Sequence, residues 1–417
     1  MALGENLRYY RKKKKFTQEE LASGICAATY LSKIENDKIT PNIETLKLIC
    51  EKLDITVADV EEKDYSGEIK LIERLLNYIS QRDKKEAKRL FNEMDDLLLN
   101  ITDPYMIGQY RTAELRYYLS IKDKDRANKI KGIIDAEFMD YLSPKYSLIY
   151  TQSLGLYEYL FGSISKAKEY YIEANQIADQ LYIRDPEFYF QMAMVFSRNN
   201  NITMSIYYTE KALGLFSEKM DFKRSADCQL ILGINFNRIH EYPIAIDYFE
   251  KLLTTSEQLE NPEIIRSKVY HNMGMSFSGL GQSQKAIDSL NKSIEFYKDP
   301  AEKIMAHYLL VKEYMGQGED EKASHHLDEG AFLAEDKQDF LYEVKFNLLK
   351  FKHLDASLNI KYRDYIIETA LPYAKEKSYN LYCECLELLG SFYRETFHYK
   401  EAVHYFELAL HYRKRSY

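Results

Sequence analysis

Residues 233–249 read GINFNRIHEYPIAIDYF and residues 274–290 read GMSFSGLGQSQKAIDSL, and the two stretches align without a gap. Each places an alanine 12 positions after its first glycine. Small residues let two antiparallel helices approach closely, and an isolated helical pair cannot bury both of its faces. The alanine position recurs at intervals of 37 to 41 residues, at Ala87, Ala127, Ala167, Ser205, Ala245, Ala286, Ala323, a degenerate unit near Arg363, and Ala402. The repeat predicts stacked helical pairs over residues 66–417.

The composition predicts an all-α protein. The 417 residues include only 8 Pro and 16 Gly, which are too few turn formers for a chain of short strands. No apolar run approaches the roughly 18 residues of a membrane span, and no signal-peptide pattern follows the basic residues 11–15, so no membrane partner is expected. Five cysteines are an odd number in so long a chain, which predicts reduced thiols and a cytoplasmic location.

No catalytic residue, cofactor or metal site is expected from the motifs. The chain carries no GxSxG, P-loop or glycine-rich phosphate cradle. Cys383 and Cys385 lie near His398, His404 and His411, but residues two apart on a helix point in different directions. No CxxC or HExxH spacing is present either. An enzyme is therefore not predicted.

Charge divides the chain into a basic head and an acidic body. Residues 1–53 hold 10 Lys and Arg against 7 Asp and Glu, a balance of +3 within a total of −8. The composition turns acidic over residues 54–67. We place the domain boundary there, with a head over residues 1–65 and a body over residues 66–417. Only the head carries a net positive charge, so only the head is expected to bind a polyanion.

The head has the layout of five short helices with a tight turn between the second and third. Thr17 and Glu20 form a capping box, and Gly24 can adopt the left-handed conformation that ends a helix. A helix is predicted over residues 27–35, and Asn42 can cap the next one. This arrangement is a helix-turn-helix, which lays one helix in the major groove of DNA.

Three blocks carry a resemblance to the Cro/C1-type DNA-binding domain: FTQEELA (16–22), YLSKIEN (30–36) and TPNIETL (40–46). One residue is missing between Ala22 and Ser32 relative to the commonest pattern of that family. The resemblance implies DNA contacts from Gln18, Ala28, Thr29, Ser32, Lys33 and Thr40. The basic run just before the helix-turn-helix adds expected phosphate contacts from Arg11, Lys12 and Lys13.

The body resembles a tetratricopeptide-repeat array of roughly nine helical pairs. That resemblance implies a right-handed α-solenoid whose first helices line a concave peptide-binding surface. An asparagine there offers both a donor and acceptors, so it can pair with a peptide backbone of any sequence. Inward positions of neighbouring repeats give a candidate peptide site of Gln152, Gln191, Asn237, His271, Asn272, Tyr308 and Lys312.

The order of the two parts is similar to that of the RRNPP quorum-sensing regulators of Gram-positive bacteria. The resemblance implies a cytoplasmic transcriptional regulator that binds double-stranded promoter DNA. It also implies a homodimer or higher oligomer controlled by a short signalling peptide bound in the concave groove. Two alternatives stay open: a Rap-like repeat scaffold that docks a response regulator or another protein, and a phage-type peptide-responsive regulator.

Overall fold

The computed structural model describes residues 3–61, 63–95, 101–259, 261–353 and 359–414. Within those ranges every regular element is helical, which confirms the predicted class. The chain divides into two compact units, Met1–Asn199 and Asn200–Tyr417. Among the described residues, no helix is both long and apolar enough to cross a membrane.

The first unit begins with the predicted helix-turn-helix. Its helices are α1 (Leu3–Lys13), α2 (Gln18–Ala22), α3 (Ala28–Glu35) and α4 (Ile43–Leu53). The predicted fifth helix is a single 3-10 turn, Val57–Asp59. All four helices contribute fully buried aliphatic side chains to one core, namely Leu7, Leu21, Leu31, Ile34, Ile49 and Leu53.

Local hydrogen bonds explain where these short helices begin. Thr17 Oγ1 accepts from the backbone N–H of Glu20 at 3.1 Å, and the Glu20 carboxylate accepts from the Thr17 N–H at 2.8 Å. Asn42 Oδ1 accepts from the Thr45 N–H at 2.7 Å and caps α4 in the same way. Gly24 has a φ of +80° in the turn before α3, where a side chain would be strained. The predicted caps and turn are confirmed.

Seven further helices complete the first unit: α5 (Ser66–Ser80), α6 (Lys84–Asp95), α7 (Pro104–Ser120), α8 (Lys124–Ile133), α9 (Pro144–Phe161), α10 (Ile164–Gln180) and α11 (Pro186–Arg198). They pack as the pairs α5–α6, α7–α8 and α9–α10. A turn of π-helix (Ile134–Phe138) and a turn of 3-10 helix (Met139–Tyr141) extend α8. The expected boundary at residue 65 lies just before α5, but both of its sides belong to one compact unit.

The second unit continues the series with twelve helices in its described residues. They are α12 (Ile202–Glu218), α13 (Phe222–Arg238), α14 (Tyr242–Ser256), α15 (Pro262–Gly279), α16 (Ser283–Phe296), α17 (Pro300–Gln317), α18 (Asp320–Asp336), α19 (Phe340–His353), α20 (Ile360–Tyr365), α21 (Leu371–Lys377), α22 (Tyr379–Glu395) and α23 (Tyr399–Lys414). The first helices of successive pairs, α13, α15, α17 and α19, contact one another directly, and we call them the inner layer. The second helices α14, α16 and α18 pack on their own partner and on the next first helix.

The repeated small residues lie where the paired helices touch. A Cβ added at Gly233 would lie 2.3 Å from Phe249 Cε1, and one at Gly274 would lie 2.6 Å from Leu290 Cγ. In each pair the large side chain stands four residues after the repeated alanine. The eight repeated Ala and Ser positions are between 0 and 3% exposed: Ala87, Ala127, Ala167, Ser205, Ala245, Ala286, Ala323 and Ala402. The repeat read from the sequence is therefore the packing unit of the fold.

The degenerate unit near Arg363 differs from the others in its backbone. A turn of π-helix, Ile366–Ala370, joins α20 to α21. Such a turn inserts an extra residue into a helix and shifts the register of the side chains that follow it. Ile366 and Ala370 are fully buried here, whereas Arg363 pairs with Asp364 at 2.6 Å on a half-buried face. Arg363 precedes this turn, and the small, fully buried residue of the unit is Ala370 at its end.

Candidate functional site

Helix α3 presents the small and hydrogen-bonding side chains that the resemblance implies for a DNA reader. Thr29 and Lys33 are exposed, and Ala28 and Ser32 are half-buried. Thr40 is exposed just beyond the helix. The opposite face of α3 lies in the core of the head, so the helix is held rigidly while its outer face stays open. This geometry suits a recognition helix.

Arg11 and Gln18 instead surround a buried carboxylate. Glu35, the last residue of α3, has a side chain that is 1% exposed. The Arg11 guanidinium donates to both of its oxygens, at 2.6 and 2.8 Å, and Gln18 Nε2 donates to it at 2.8 Å. The hydrogen bond to Glu35 raises the pKa of Arg11. Because these donors are engaged inside the head, the geometry favours a structural role for both residues over the expected DNA contacts.

Lys12, Lys13 and Lys15 of the basic run lie beside the first repeats, whereas Lys14 pairs with Asp54 of the head at 3.3 Å. Lys12 Nζ lies 3.1 Å from Asp140 Oδ2, and Lys13 Nζ lies 5.3 Å from the centre of the Tyr9 ring. A groove of about 420 Å³ lies beside them. Three lysines and three carboxylates line it: Lys12, Lys13, Lys15, Asp135, Glu137 and Asp140. Exposed ion pairs of this kind contribute about 0–1 kcal/mol, so the pair with Asp140 holds Lys12 only weakly.

An aromatic contact joins the head to the repeats, and no sequence motif predicted it. Tyr9 is 4% exposed and packs against Phe138 and Tyr141, with ring centres 5.9 and 5.4 Å apart. Its neighbour Tyr10 donates its hydroxyl to the carbonyl of Thr102 at 3.2 Å. Burial raises the pKa of Tyr9 to about 12. The head is therefore fixed on the first repeats by buried rings.

Gln152 and Gln191 line one cavity of about 490 Å³ in the first unit. Gln152 is 6% exposed. Gln191 Oε1 accepts from Arg116 Nη2 at 3.2 Å and from the Tyr171 hydroxyl at 2.9 Å. Arg116 Nη1 is buried and has no hydrogen-bond partner among the described residues. The structure thus brings the two predicted glutamines together and adds an arginine that no sequence pattern indicated.

In the second unit, Asn237 and His271 bridge helices of the inner layer. Asn237 Nδ2 donates to the carbonyl of Asn272 at 3.0 Å, and Asn237 Oδ1 accepts from the Ser276 hydroxyl at 2.6 Å. His271 Nε2 lies 3.0 Å from Met305 Sδ. Burial lowers the pKa of His271 to about 4, so this ring is neutral at neutral pH. Asn237 is 8% exposed and His271 is 6% exposed. Both side chains are therefore largely closed to a ligand, which disfavours the peptide contacts expected of them.

Asn272 and Lys312 lie closer to solvent, whereas Tyr308 is buried at 9% exposure. Asn272 is half-buried, and its Nδ2 donates to the carbonyl of Lys268 at 2.8 Å. Tyr308 on α17 lies beneath two ammonium groups, with Lys312 Nζ 5.7 Å and Lys345 Nζ 5.3 Å from its ring centre. Burial lowers the pKa of Lys345. Lys345 belongs to this aromatic and cationic corner but was not among the predicted residues.

Comparison with known families supports both parts of the chain. A helix-turn-helix family model matches residues 7–60, and a tetratricopeptide-repeat model matches residues 267–300 and 382–414. The first match coincides with the described head, and the second falls on two helical pairs of the second unit.

Two relatives and two solved structures span most of the chain. Transcriptional activator NprA of Geobacillus stearothermophilus is 26% identical over 409 residues, which are 94% of this chain and 99% of NprA. Regulatory protein RapG of Bacillus subtilis is 25% identical over 80% of this chain and 92% of RapG. The apo form of the quorum sensor NprR from B. thuringiensis covers 84% of this chain and 100% of its own, at 18% identity and a TM-score of 0.75. NprR in complex with its cognate peptide NprX covers 82% of this chain and 97% of its own, at 19% identity and a TM-score of 0.61. A helix-turn-helix joined to tetratricopeptide repeats, together with an activator aligned over nearly its whole length, supports an RRNPP-family quorum-sensing regulator.

Proposed function

We propose that this protein is a cytoplasmic transcriptional regulator that binds promoter DNA through α3 and is controlled by a short peptide bound on the inner layer. The observation that carries the proposal is the open outer face of α3 on a fully buried helix-turn-helix core. NprA, which aligns with nearly the whole chain, is itself a transcriptional activator. The proposal assigns no catalytic step to the protein.

The DNA-binding part rests on the two exposed residues of α3. Thr29 carries a hydroxyl that can donate to or accept from a base edge, and Lys33 carries a charge that suits a phosphate. Ala28 and Ser32 are small enough to let the helix approach the groove closely, and Thr40 is placed to meet the backbone beyond it. Lys12 and Lys13 add charge at the edge of the head. A dimer would place two such helices on two half-sites of one operator.

Substitutions on α3 test DNA binding. Operators are first selected from a randomised double-stranded DNA pool with the full chain. Thr29→Ala is then expected to lose about 1–3 kcal/mol on the selected sequence and little on unrelated DNA. Lys33→Ala is expected to weaken binding to all sequences and to lower the salt slope by about 1.

Lys70→Ala is the matched control, because it removes the same charge from an exposed position outside the head. Equal losses for Lys33→Ala and Lys70→Ala would assign the effect to net charge and contradict the placement of DNA on α3. Two half-sites in the selected operators would support the dimer.

The peptide-binding part rests on the inner layer. Polar side chains of α13, α15 and α17 lie along successive first helices, and an aromatic and cationic corner at Tyr308 follows them. Such a corner suits an acidic side chain or a terminal carboxylate next to an apolar one. NprR, which shares this fold, binds its cognate peptide NprX.

Asn272→Ala tests the peptide site. Peptides that co-purify with the full chain are identified by mass spectrometry, synthesised, and titrated into the peptide-free protein by calorimetry. Loss of hydrogen bonds to a peptide backbone is expected to lower affinity by roughly ten-fold or more, corresponding to about 1–2 kcal/mol. Binding of peptide-free protein to DNA should not change.

Asn291→Ala serves as the control, because Asn291 is also half-buried but lies on α16, the second helix of the same pair. A similar loss in both variants would indicate a general disturbance of the pair. Full affinity in Asn272→Ala would remove Asn272 from the proposed site.

A Rap-like scaffold remains the second candidate function because RapG aligns with 80% of the chain. Deleting the head would not separate the two functions cleanly, since Tyr9 is buried against Phe138 and Tyr141 and its loss would expose apolar rings. Thr29→Ala and Lys33→Ala leave that contact intact. If the protein is a regulator, both variants lose their effect on transcription. If it is a scaffold, both variants still bind the partner protein.

A further inference from the structure

Two histidines and a glutamate meet within one helical pair of the second unit. His307 lies on α17, and His326 and Glu329 lie one turn apart on α18. The two Nδ1 atoms are 3.1 Å apart, and His307 Nδ1 lies 3.6 Å from Glu329 Oε2. One ligand atom from each of the three residues falls within 4.8 Å of the other two.

The two distances from His307 Nδ1, to His326 Nδ1 and to Glu329 Oε2, are close to the edges of a metal coordination shell. Bonds of about 2.0–2.2 Å in a tetrahedral site place neighbouring ligand atoms about 3.3–3.6 Å apart. The two measured distances lie at and just below this range, without any rotation of a side chain. Imidazole nitrogen and carboxylate oxygen are also the ligand types that divalent transition ions accept.

Packing holds both rings in place. His307 is 4% exposed, and the His326 ring stacks on Tyr314 with ring centres 5.5 Å apart and planes 6° apart. Gly330 makes room behind His307, because a Cβ there would lie 2.2 Å from Phe346 Cζ and 3.0 Å from His307 Cβ. The rings are therefore preorganised, while the exposed Glu329 carboxylate leaves the site open to solvent for entry of an ion.

Burial disfavours the charged form of both rings. Burial, and then the neighbouring His326, lower the pKa of His307 to about 4. Burial likewise lowers the pKa of His326. The two Nδ1 atoms share a hydrogen bond, so the proton between them must move to Nε2 of its own ring before both Nδ1 atoms can bind an ion. Lys303 also lowers the pKa of His307, and Glu329 opposes it.

We propose that His307, His326 and Glu329 bind one divalent transition-metal ion of the zinc class, with solvent completing the coordination shell. The bound ion links α17 to α18 in the pair that carries Tyr308 and Lys312, so it stiffens that part of the inner layer. The site does not depend on DNA or peptide binding. No spacing motif predicted the site, because its ligands come from two helices. His307 precedes His326 by 19 positions, and His326 precedes Glu329 by 3.

Zinc binding to the full chain, purified without an affinity tag and stripped with a chelator, tests the site. We expect one equivalent of Zn²⁺ by calorimetry, a visible absorption band of four-coordinate geometry with Co²⁺, and a higher thermal midpoint with Zn²⁺. His326→Ala and Glu329→Gln should each lower Zn²⁺ affinity at least about ten-fold, because even loss of outer-shell partners costs about 10- to 100-fold.

His404→Ala is the control, because it removes an exposed histidine on α23 outside the cluster. Glu329→Gln changes an exposed side chain and should fold normally, so it keeps the test independent of the buried ring. Absence of stoichiometric Zn²⁺ binding in the unaltered chain would overturn the proposal. Binding that survives both His326→Ala and Glu329→Gln would overturn it as well.

Discussion

Arg11→Met is expected to destabilise the helix-turn-helix by about 3–5 kcal/mol, because it leaves the Glu35 carboxylate buried without its cation. Glu35 is 1% exposed at its side chain, and Arg11 supplies two of its three side-chain hydrogen bonds, the third coming from Gln18. A loss of this size is a large share of the roughly 5–15 kcal/mol that holds a domain folded. Chemical denaturation followed by far-ultraviolet circular dichroism would measure it.

The comparison with Lys12→Met separates this effect from a lost phosphate contact. Lys12 stands next to Arg11 and makes only an exposed ion pair with Asp140, so its replacement should change stability by less than about 1 kcal/mol. The double variant Arg11→Met, Glu35→Leu should recover much of the stability, because apolar side chains can replace a buried ion pair. If Arg11→Met keeps full stability and only weakens DNA binding, the residue belongs with the phosphate contacts.

The repeat array was predictable because its packing is local in sequence. In four repeats a glycine of the first helix meets the large side chain that stands four residues after the alanine of the second helix, so a single repeat contains the whole contact: Gly155, Gly233, Gly274 and Gly390. The capping box at Thr17 and the cap at Asn42 are local too, since each is complete within four residues. Short-range patterns of this kind can be read without knowing the fold.

The contacts that the sequence did not predict are those between distant residues. Arg11 stands in a run of five basic residues, and nothing in that run distinguishes it from its neighbours. Its role depends on Glu35, 24 residues later, and on how α1 packs against α3. His307 and His326 likewise meet only because α17 and α18 are antiparallel. Among the predicted DNA-binding residues, Thr29 and Lys33 are exposed, whereas Gln18 is hydrogen-bonded to Glu35. Which side chains are exposed depends on the fold and could not be read from the sequence.

Tyr9→Ala should release the head from the first repeats. Tyr9 is 4% exposed, and its ring contacts Tyr10, Phe138 and Tyr141. Truncating a buried aromatic side chain costs about 3–5 kcal/mol. The neighbouring Lys12–Asp140 pair is exposed and cannot compensate for that loss. Limited proteolysis of the full chain is expected to cut the segment between Val60 and α5 much faster than in the unaltered protein.

Tyr9→Phe is the matched variant for this experiment. It keeps the ring and removes only the hydroxyl, which accepts a hydrogen bond from the exposed Lys13 ammonium at 3.3 Å. Phenylalanine should therefore leave the cleavage rate unchanged if ring packing holds the head. Equal cleavage of Tyr9→Ala and the unaltered chain would mean that the hydrogen bond from Tyr10 to Thr102 suffices to hold it. Because Lys12 and Lys13 line a groove together with carboxylates of the same repeats, release of the head should also free these two lysines for phosphate. Faster cleavage together with tighter, more salt-dependent binding to non-specific DNA would show that docking on the repeats restrains the head.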